Sequence, residues 1–168
     1  PEPLAPASDG ASAWIASTLA VAEPGSIDIL ALGPLTNIAH LVTEHPEVVG
    51  LIGEIIVMGG TLNEPGNSGP NSEFNFATDP EAVSVVLGSG AKVTVVPLDV
   101  TRKVRAQLAY VEALPDTPHG SLAREVLGQY MQDGRQSRAL HDPCVMLLAL
   151  EPDIFRLEKL ALDVDLGE

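Results

Sequence analysis

Short aliphatic runs alternate along this chain with stretches whose apolar residues recur at helical spacing. IDILAL (27–32), EIIVM (54–58) and KVTVVP (92–97) are compact and β-branched, and each ends at Gly or Pro or in a polar turn, as strands do. Between them the periodicity predicts a helix over 11–22, capped by Ser8 or Asp9, with Trp14, Ile15, Leu19 and Val21 or Ala22 as its inner face. A second follows over 35–45, with Leu35, Ile38, Leu41 and Val42 inward, and a short helical piece over 46–51. Asp79-Pro80 opens another, with Val83, Val85, Val86 and Leu87 inward and Gly88-Ser-Gly90 closing it. Helices over 102–114, 122–131 and 143–150 come next, and 155–165 alternates like a half-exposed strand. Strands alternating with helices predict an α/β fold with an open, mostly parallel, doubly wound sheet in a single domain, 1–168. Three prolines within residues 1–6 read as an extended lead-in.

One segment breaks the alternation. After Met58 and Gly59-Gly60, a polar loop of about fifteen residues runs to Asp79, rich in Asn, Gly and Pro. Long loops without structure are uncommon in compact domains unless they are functional. This one also lies beyond the carboxyl end of a strand, where α/β proteins bind ligands.

Composition narrows the picture. Hydrophobic residues form 45% of the chain and aromatics only 4%, so the core is aliphatic, as a buried parallel sheet requires. The net charge of −14 argues against nucleic acid as a partner. No apolar run is long enough to span a membrane and no basic-then-apolar leader is visible, which makes the cytoplasm the expected setting. Cys144, the only cysteine, excludes an intrachain disulfide and a multi-thiolate zinc site, and reads as a small core residue.

Three strand exits carry candidate chemistry. At Leu32-Gly-Pro-Leu-Thr-Asn37 the turn is an ordinary strand-to-helix connection, yet it frees the Leu32 carbonyl, a hard-cation ligand type. In the long loop, Glu73 and Asn75 are two apart and in an extended segment share a side, with Phe74 opposed. With Asn67 they offer the mixture of donors and acceptors that vicinal sugar hydroxyls need, although Asn is also simply a turn former. At His141-Asp142-Pro143 a plain helix cap competes with a metal-binding Asp142 and a general-acid His141. His40, His45 and His119 read as solvated.

LGPLTNIA (32–39), VMGG (57–60), Gly66-Asn67, Glu73-Phe74-Asn75, DPEA (79–82), LDVT (98–101) and His141-Asp142 stand in the order and approximate spacing of the inosine/uridine-preferring nucleoside hydrolases, which this chain resembles along essentially its whole length. The resemblance implies hydrolysis of the N-glycosidic bond of ribonucleosides through an oxocarbenium-like transition state, with a bound calcium positioning the attacking water. It implies that Asn67 and Glu73 face the ribose 5-hydroxyl and Asn75 the 2- and 3-hydroxyls. It places Met58 and Phe74 around the sugar, His141 beside the leaving base, and Asp142 with the Leu32 carbonyl as calcium ligands.

The resemblance has one departure. The Asp-rich motif that opens the family's fold, and that supplies most of its calcium ligands and the general base, is missing: Asp9, Asp28 and Asp99 stand alone. One carboxylate and one carbonyl fall well short of the roughly six to eight oxygens calcium takes. The chain is therefore expected to be incomplete at both ends of the family fold and inactive by itself. It is also expected to associate as a homo-oligomer or with a complementing N-terminal segment. The alternatives are a catalytically dead nucleoside- or sugar-binding module and a structural subunit.

Overall fold

The computed structural model describes residues 10–132, 134–162 and 164–165. The lead-in expected over 1–6 and the caps expected at Ser8 or Asp9 lie outside the described residues. Among those described, β1 (Ile27–Ala31), β2 (Ile52–Met58) and β3 (Val93–Val96) form a parallel sheet in the order β1-β2-β3. Successive side chains of a strand point to opposite faces, and β2 shows the consequence. Ile55 and Val57 enter one core with Leu35, Ile38, Leu41, Val83 and Val86, whereas Ile56 and Met58 enter a second with Leu98, Val145 and Leu148.

Helices α1 (Gly10–Val21) and α2 (Thr36–Glu44) cover the first face, together with α4 (Pro80–Leu87), which follows the short α3 (Phe74–Thr78). The one-turn α5 (Leu98–Thr101) and the later α8 (Asp142–Leu150) cover the second. Both faces of the sheet are therefore clad, which is the doubly wound α/β arrangement. Cys144 is fully buried there, and desolvation pushes its thiol pKa up, as fits a core residue.

Between α5 and α8 lies a smaller unit: β4 (Arg105–Gln107), α6 (Leu108–Glu112), α7 (Pro118–Tyr130) and β5 (Ser137–Ala139). Here the structure corrects the expected helix over 102–114, which is split into β4 and α6, and places β5 where the sequence predicts no element. The two strands pair antiparallel, Ala106 opposite Arg138. Three-residue polar strands have no periodicity to read, and only their long-range pairing creates them. Helix α7 begins earlier than the apolar spacing suggests, because the Thr117 hydroxyl accepts the Gly120 N–H at 3.0 Å and Pro118 occupies the first turn.

Two further expectations fail. The alternating stretch 155–165 is not a strand: its described residues are irregular, with Phe155 and Val164 resting on the two cores and Leu157 and Leu160 exposed. A strand needs a neighbour for its backbone hydrogen bonds, and alternation alone does not provide one. On α1, Ala16 and Leu19 are buried while Trp14 and Val21 are exposed, and on α4 Val85 faces out. α1 is small and apolar nearly all round, so its periodicity selects no face.

The turn after β2 is held by close packing. A Cβ on Gly59 would lie 2.2 Å from the Phe76 ring, and Gly60 has a φ of +73°. Gly59→Ala is expected to cost about 1–3 kcal/mol through overpacking, read as a lower urea midpoint. Adding Phe76→Leu should recover part of the loss; an unchanged midpoint in the single variant would refute the contact.

Candidate active site

Two of the three exits expected to carry chemistry lie at the carboxyl ends of β1 and β2, whereas the third, His141-Asp142-Pro143, follows β5; the long loop is built upward from the end of β2. Its backbone is not paired in a ladder, so side chains must satisfy it. Glu73 does most at the near end. It is only 3% exposed, and its Oε2 accepts the N–H groups of Gly60 (3.1 Å), Asn75 (2.9 Å) and Phe76 (3.2 Å). It thus caps α3 and ties that helix to the end of β2. Asn75 is also buried, and its amide nitrogen donates to the Met58 carbonyl at 3.0 Å, with the Met58 sulfur at 3.5 Å. Asn67 accepts the Phe74 N–H at 2.8 Å. Four of the expected sugar-site residues, Met58, Asn67, Glu73 and Asn75, are thus joined in one framework, and the fifth, Phe74, presents an exposed ring.

The far side of the loop is anchored by residues to which the sequence reading gives no role. Asp99, in α5, accepts the N–H groups of Leu62 and Asn63, each at 2.8 Å and each on a different carboxylate oxygen. Partial burial would raise its pKa, but these amides and the Thr61 hydroxyl outweigh it and hold the carboxyl below the usual aspartate range. One turn on, Arg102 donates to the carbonyls of Pro65 (2.6 Å) and Gly66 (3.1 Å) and pairs with Glu64 at 3.3 Å. Within the loop, Gly66 and Asn67 donate to Pro70 and Ser72 carbonyls at 2.8 and 2.9 Å. A Cβ on Gly66 would strike the backbone of Gly69 and Ser72. The signal that could have found Asp99 and Arg102 is their spacing of three at a strand exit, which puts both on one side of a helical turn.

Thr101, fully buried beside them, bonds the His141 Nδ1 at 2.8 Å. No described residue takes Nε2. His141 and Asn67 line one recess of about 290 Å³. His141 and Asp142 line a broader one of about 560 Å³ with Tyr130 and Val126. Asp142 does not cap its helix: His141 holds the N-cap position, no side chain caps the helix end, and Asp142 stands exposed in the first turn. Leu32 is 47% exposed at the end of β1, and neither a hydrogen bond nor a shared recess joins it to Asp142 among the described residues. Nor do the described residues bring three or more His, Cys, Asp or Glu side chains together as a metal-binding group. Calcium's demand for roughly six to eight oxygens is therefore unmet by the described donors. His40 pairs with Glu44 at 3.0 Å on the surface, and His45 is half-buried near Glu47. At the start of α4, Asp79 accepts the Thr36 hydroxyl and the Ala82 amide, which hold its pKa low.

A family model described as inosine-uridine preferring nucleoside hydrolase matches residues 1–168. The chain is 39% identical over 165 residues to a pyrimidine-specific ribonucleoside hydrolase, RihA, of Salmonella paratyphi C, covering 92% of this chain and 52% of that one. It is 38% identical over 139 residues to a non-specific ribonucleoside hydrolase, RihC, of Klebsiella pneumoniae, covering 82% and 45%. Among solved structures, a purine-preferring ribonucleoside hydrolase from Gardnerella vaginalis superposes with a TM-score of 0.89 at 26% identity, covering 99% of this chain and 55% of that one. A plant nucleoside hydrolase gives 0.84 at 30%, covering 92% and 51%. The chain spans about half the length of the curated relatives it matches.

Glu73→Ala would leave three backbone donors without their acceptor, and a loss of roughly 2–3 kcal/mol is expected in chemical denaturation; a loss within a few tenths would show that water replaces the carboxylate at no cost. Asp99 carries a pH signature. Because its folded pKa is depressed, its contribution is present above the usual aspartate pKa and is lost as pH falls through the lowered value. Asp99→Asn must aim an amide N–H at one of the two backbone donors. It should therefore destabilise the chain by about 1 kcal/mol near neutrality, with the gap from wild type closing in acid. A gap that is constant with pH would remove Asp99 from this role.

Proposed function

The chain belongs to the inosine-uridine preferring nucleoside hydrolase family, and on that premise we propose that it grips the ribose of ribonucleosides for hydrolysis of their N-glycosidic bond. The observation that carries this reading is the joining of buried Met58, Glu73 and Asn75 with exposed Asn67 into one hydrogen-bonded framework, whose Asn67 shares a recess with His141. The Glu73 and Asn75 contacts on Gly60 and Met58 hold these side chains rigidly, which is what positioning a sugar demands. In this reading Asn67 and Glu73 face the ribose 5-hydroxyl, Asn75 the 2- and 3-hydroxyls, and the exposed Phe74 ring lies against the sugar. Met58 closes the floor.

His141 is the proton donor to the departing base. When water adds to the anomeric carbon, the carbon–nitrogen bond breaks and its electron pair moves onto the base. A proton from His141 Nε2 neutralises that charge, and the proton given up by the added water passes to solvent, from which the imidazole is reprotonated. The Thr101 hydroxyl at Nδ1 supports this role by fixing the ring orientation. The relatives differ in base preference, being named pyrimidine-specific, non-specific and purine-preferring, so the ribose rather than the base is the common element.

The calcium that the family resemblance implies would take the Asp142 carboxylate and the Leu32 carbonyl, but these do not fit it alone, and no step is derived through it. We therefore read residues 1–168 as a partial domain that binds ribonucleoside and does not turn it over unaided. Exposed Met146, Leu147 and Leu150 on α8 support a companion chain or segment covering that face.

Added uridine or inosine should raise the melting temperature of the purified chain by a few degrees, while the free bases do not, and no base should be released. Equal shifts by nucleoside and free base would remove the ribose site. Base release at the rate of an ordinary enzyme would overturn the claim that the chain is incomplete for catalysis.

A further inference from the structure

Among the described residues, the His141 ring makes one hydrogen bond, between its Nδ1 and the hydroxyl of fully buried Thr101 at 2.8 Å. A hydroxyl so enclosed must place its proton on a partner, and Nδ1 is the acceptor within its reach. In the neutral imidazole Nδ1 therefore accepts and Nε2 carries the proton. In the imidazolium Nδ1 donates to the hydroxyl oxygen, and Nε2 again carries a proton. Thr101 thus keeps a proton on Nε2 in either state.

The place of Thr101 is set in turn by its neighbours on α5. A single turn of four residues has too few backbone hydrogen bonds to hold itself, and bonds to the long loop supply the rest. Leu98 is buried in the second core, and its N–H donates to the Gly60 carbonyl at 3.0 Å. Asp99 takes the Leu62 and Asn63 amides at 2.8 Å each, and Arg102 the Pro65 and Gly66 carbonyls at 2.6 and 3.1 Å. Residues two apart on a helical turn do not face each other. Asp99 accordingly reaches the loop while Thr101 reaches a ring 40 residues further along the chain.

We infer, on the reading of His141 as the proton donor, that Asp99 is a positioning residue for it. Asp99 fixes α5 on the long loop, α5 fixes Thr101, and Thr101 fixes the imidazole. The loop that carries Asn67 and the proposed donor are thereby set in register by one turn. Among the described residues Asp99 bonds neither the imidazole nor Met58, Asn67, Glu73 or Asn75, so its effect on His141 passes through Thr101. Without Asp99 the turn loosens, and the ring is freed to sample its other tautomer.

Long-range proton–nitrogen spectra of the imidazole rings test this on the full chain, without nucleoside and in mildly alkaline buffer, where histidine is neutral. His141→Gln identifies the signals of that ring, and His40, His45 and His119 serve as internal references. Wild type should show the two well-separated ring-nitrogen signals of a single Nε2–H tautomer. Thr101→Val, which keeps the shape and removes the hydroxyl, should draw them together, and Thr101→Ser should restore their separation. Asp99→Asn should move them part of the way, because Leu98 and Arg102 still hold the turn. In the Thr101→Val background it should move them no further, the non-additivity of groups that act through one contact. A smaller folded fraction does not change the spectrum of the folded molecules, so the stability loss expected for Asp99→Asn does not imitate this result. Arg102→Gln, which releases the Pro65 and Gly66 carbonyls, is the second variant if Asp99→Asn does not fold. His141 signals that stay in place in these variants, that move no more than the reference rings, or that move equally with and without the Thr101 hydroxyl overturn the role of Asp99. So does a wild-type ring that already samples both tautomers. The uridine melting experiment is separate: its failure removes the ribose reading and leaves the Asp99 result as it stands.

Discussion

The long loop after β2 has to find partners for its own peptide groups, and that requirement shapes everything built on it. Buried or half-buried backbone donors left without acceptors cost about 1–3 kcal/mol each, and a loop has no ladder to supply them. Here charged side chains replace the ladder: Glu73 gathers three amides at one end, Asp99 takes two at the other, and Arg102 fills two carbonyls between them. The same groups that satisfy the backbone set the orientation of Asn67 and Asn75. Structure and the proposed recognition therefore depend on shared atoms, and a substitution at Glu73 would disturb both.

The parallel sheet supplies the fixed base. Because β2 is buried on both faces, its residues are committed to two cores, and the chain can offer polar chemistry only where the strands end. The turn at Gly59-Gly60, α5 beyond β3 and the start of α8 all emerge on that side. Thr101 links α5 to His141, and Asp99 and Arg102 link the same turn to the long loop. The α5 turn and its C-cap Arg102 thus connect the proposed sugar framework to the proposed proton donor.

Family membership and residue roles stand on different footings. Membership follows from a match along residues 1–168 and from relatives at 38–39% identity. The proposed roles rest on the family resemblance and on the local framework: Asn75 and Glu73 are placed by bonds to Met58, Gly60 and Phe76, while Asp142 stands exposed and neither a hydrogen bond nor a shared recess joins it to Leu32 among the described residues. A ribose grip is supported by this arrangement. A calcium site asks for oxygens that these residues do not supply.

Much of this was legible in the residues themselves. The three buried strands are aliphatic and bounded by Gly, Pro or polar turns, so local composition suffices to mark them. Asp79-Pro80 and His141-Asp142-Pro143 mark helix starts for equally local reasons, and Glu73 and Asn75 stood out as polar residues in a loop too long to be idle. What remained hidden depends on contacts between distant segments. β4 and β5 exist only because each pairs with the other, whereas the alternation over 155–165 lacks such a partner among the described residues and forms no strand. The outward faces of Trp14 and Val85 were decided by what packs beside them. The Glu73 cap, the Asp99 anchor and the Thr101–His141 contact bring together groups that lie up to tens of residues apart. Periodicity records which side of an element is apolar; it holds no record of which elements meet, and the candidate site is made where they meet.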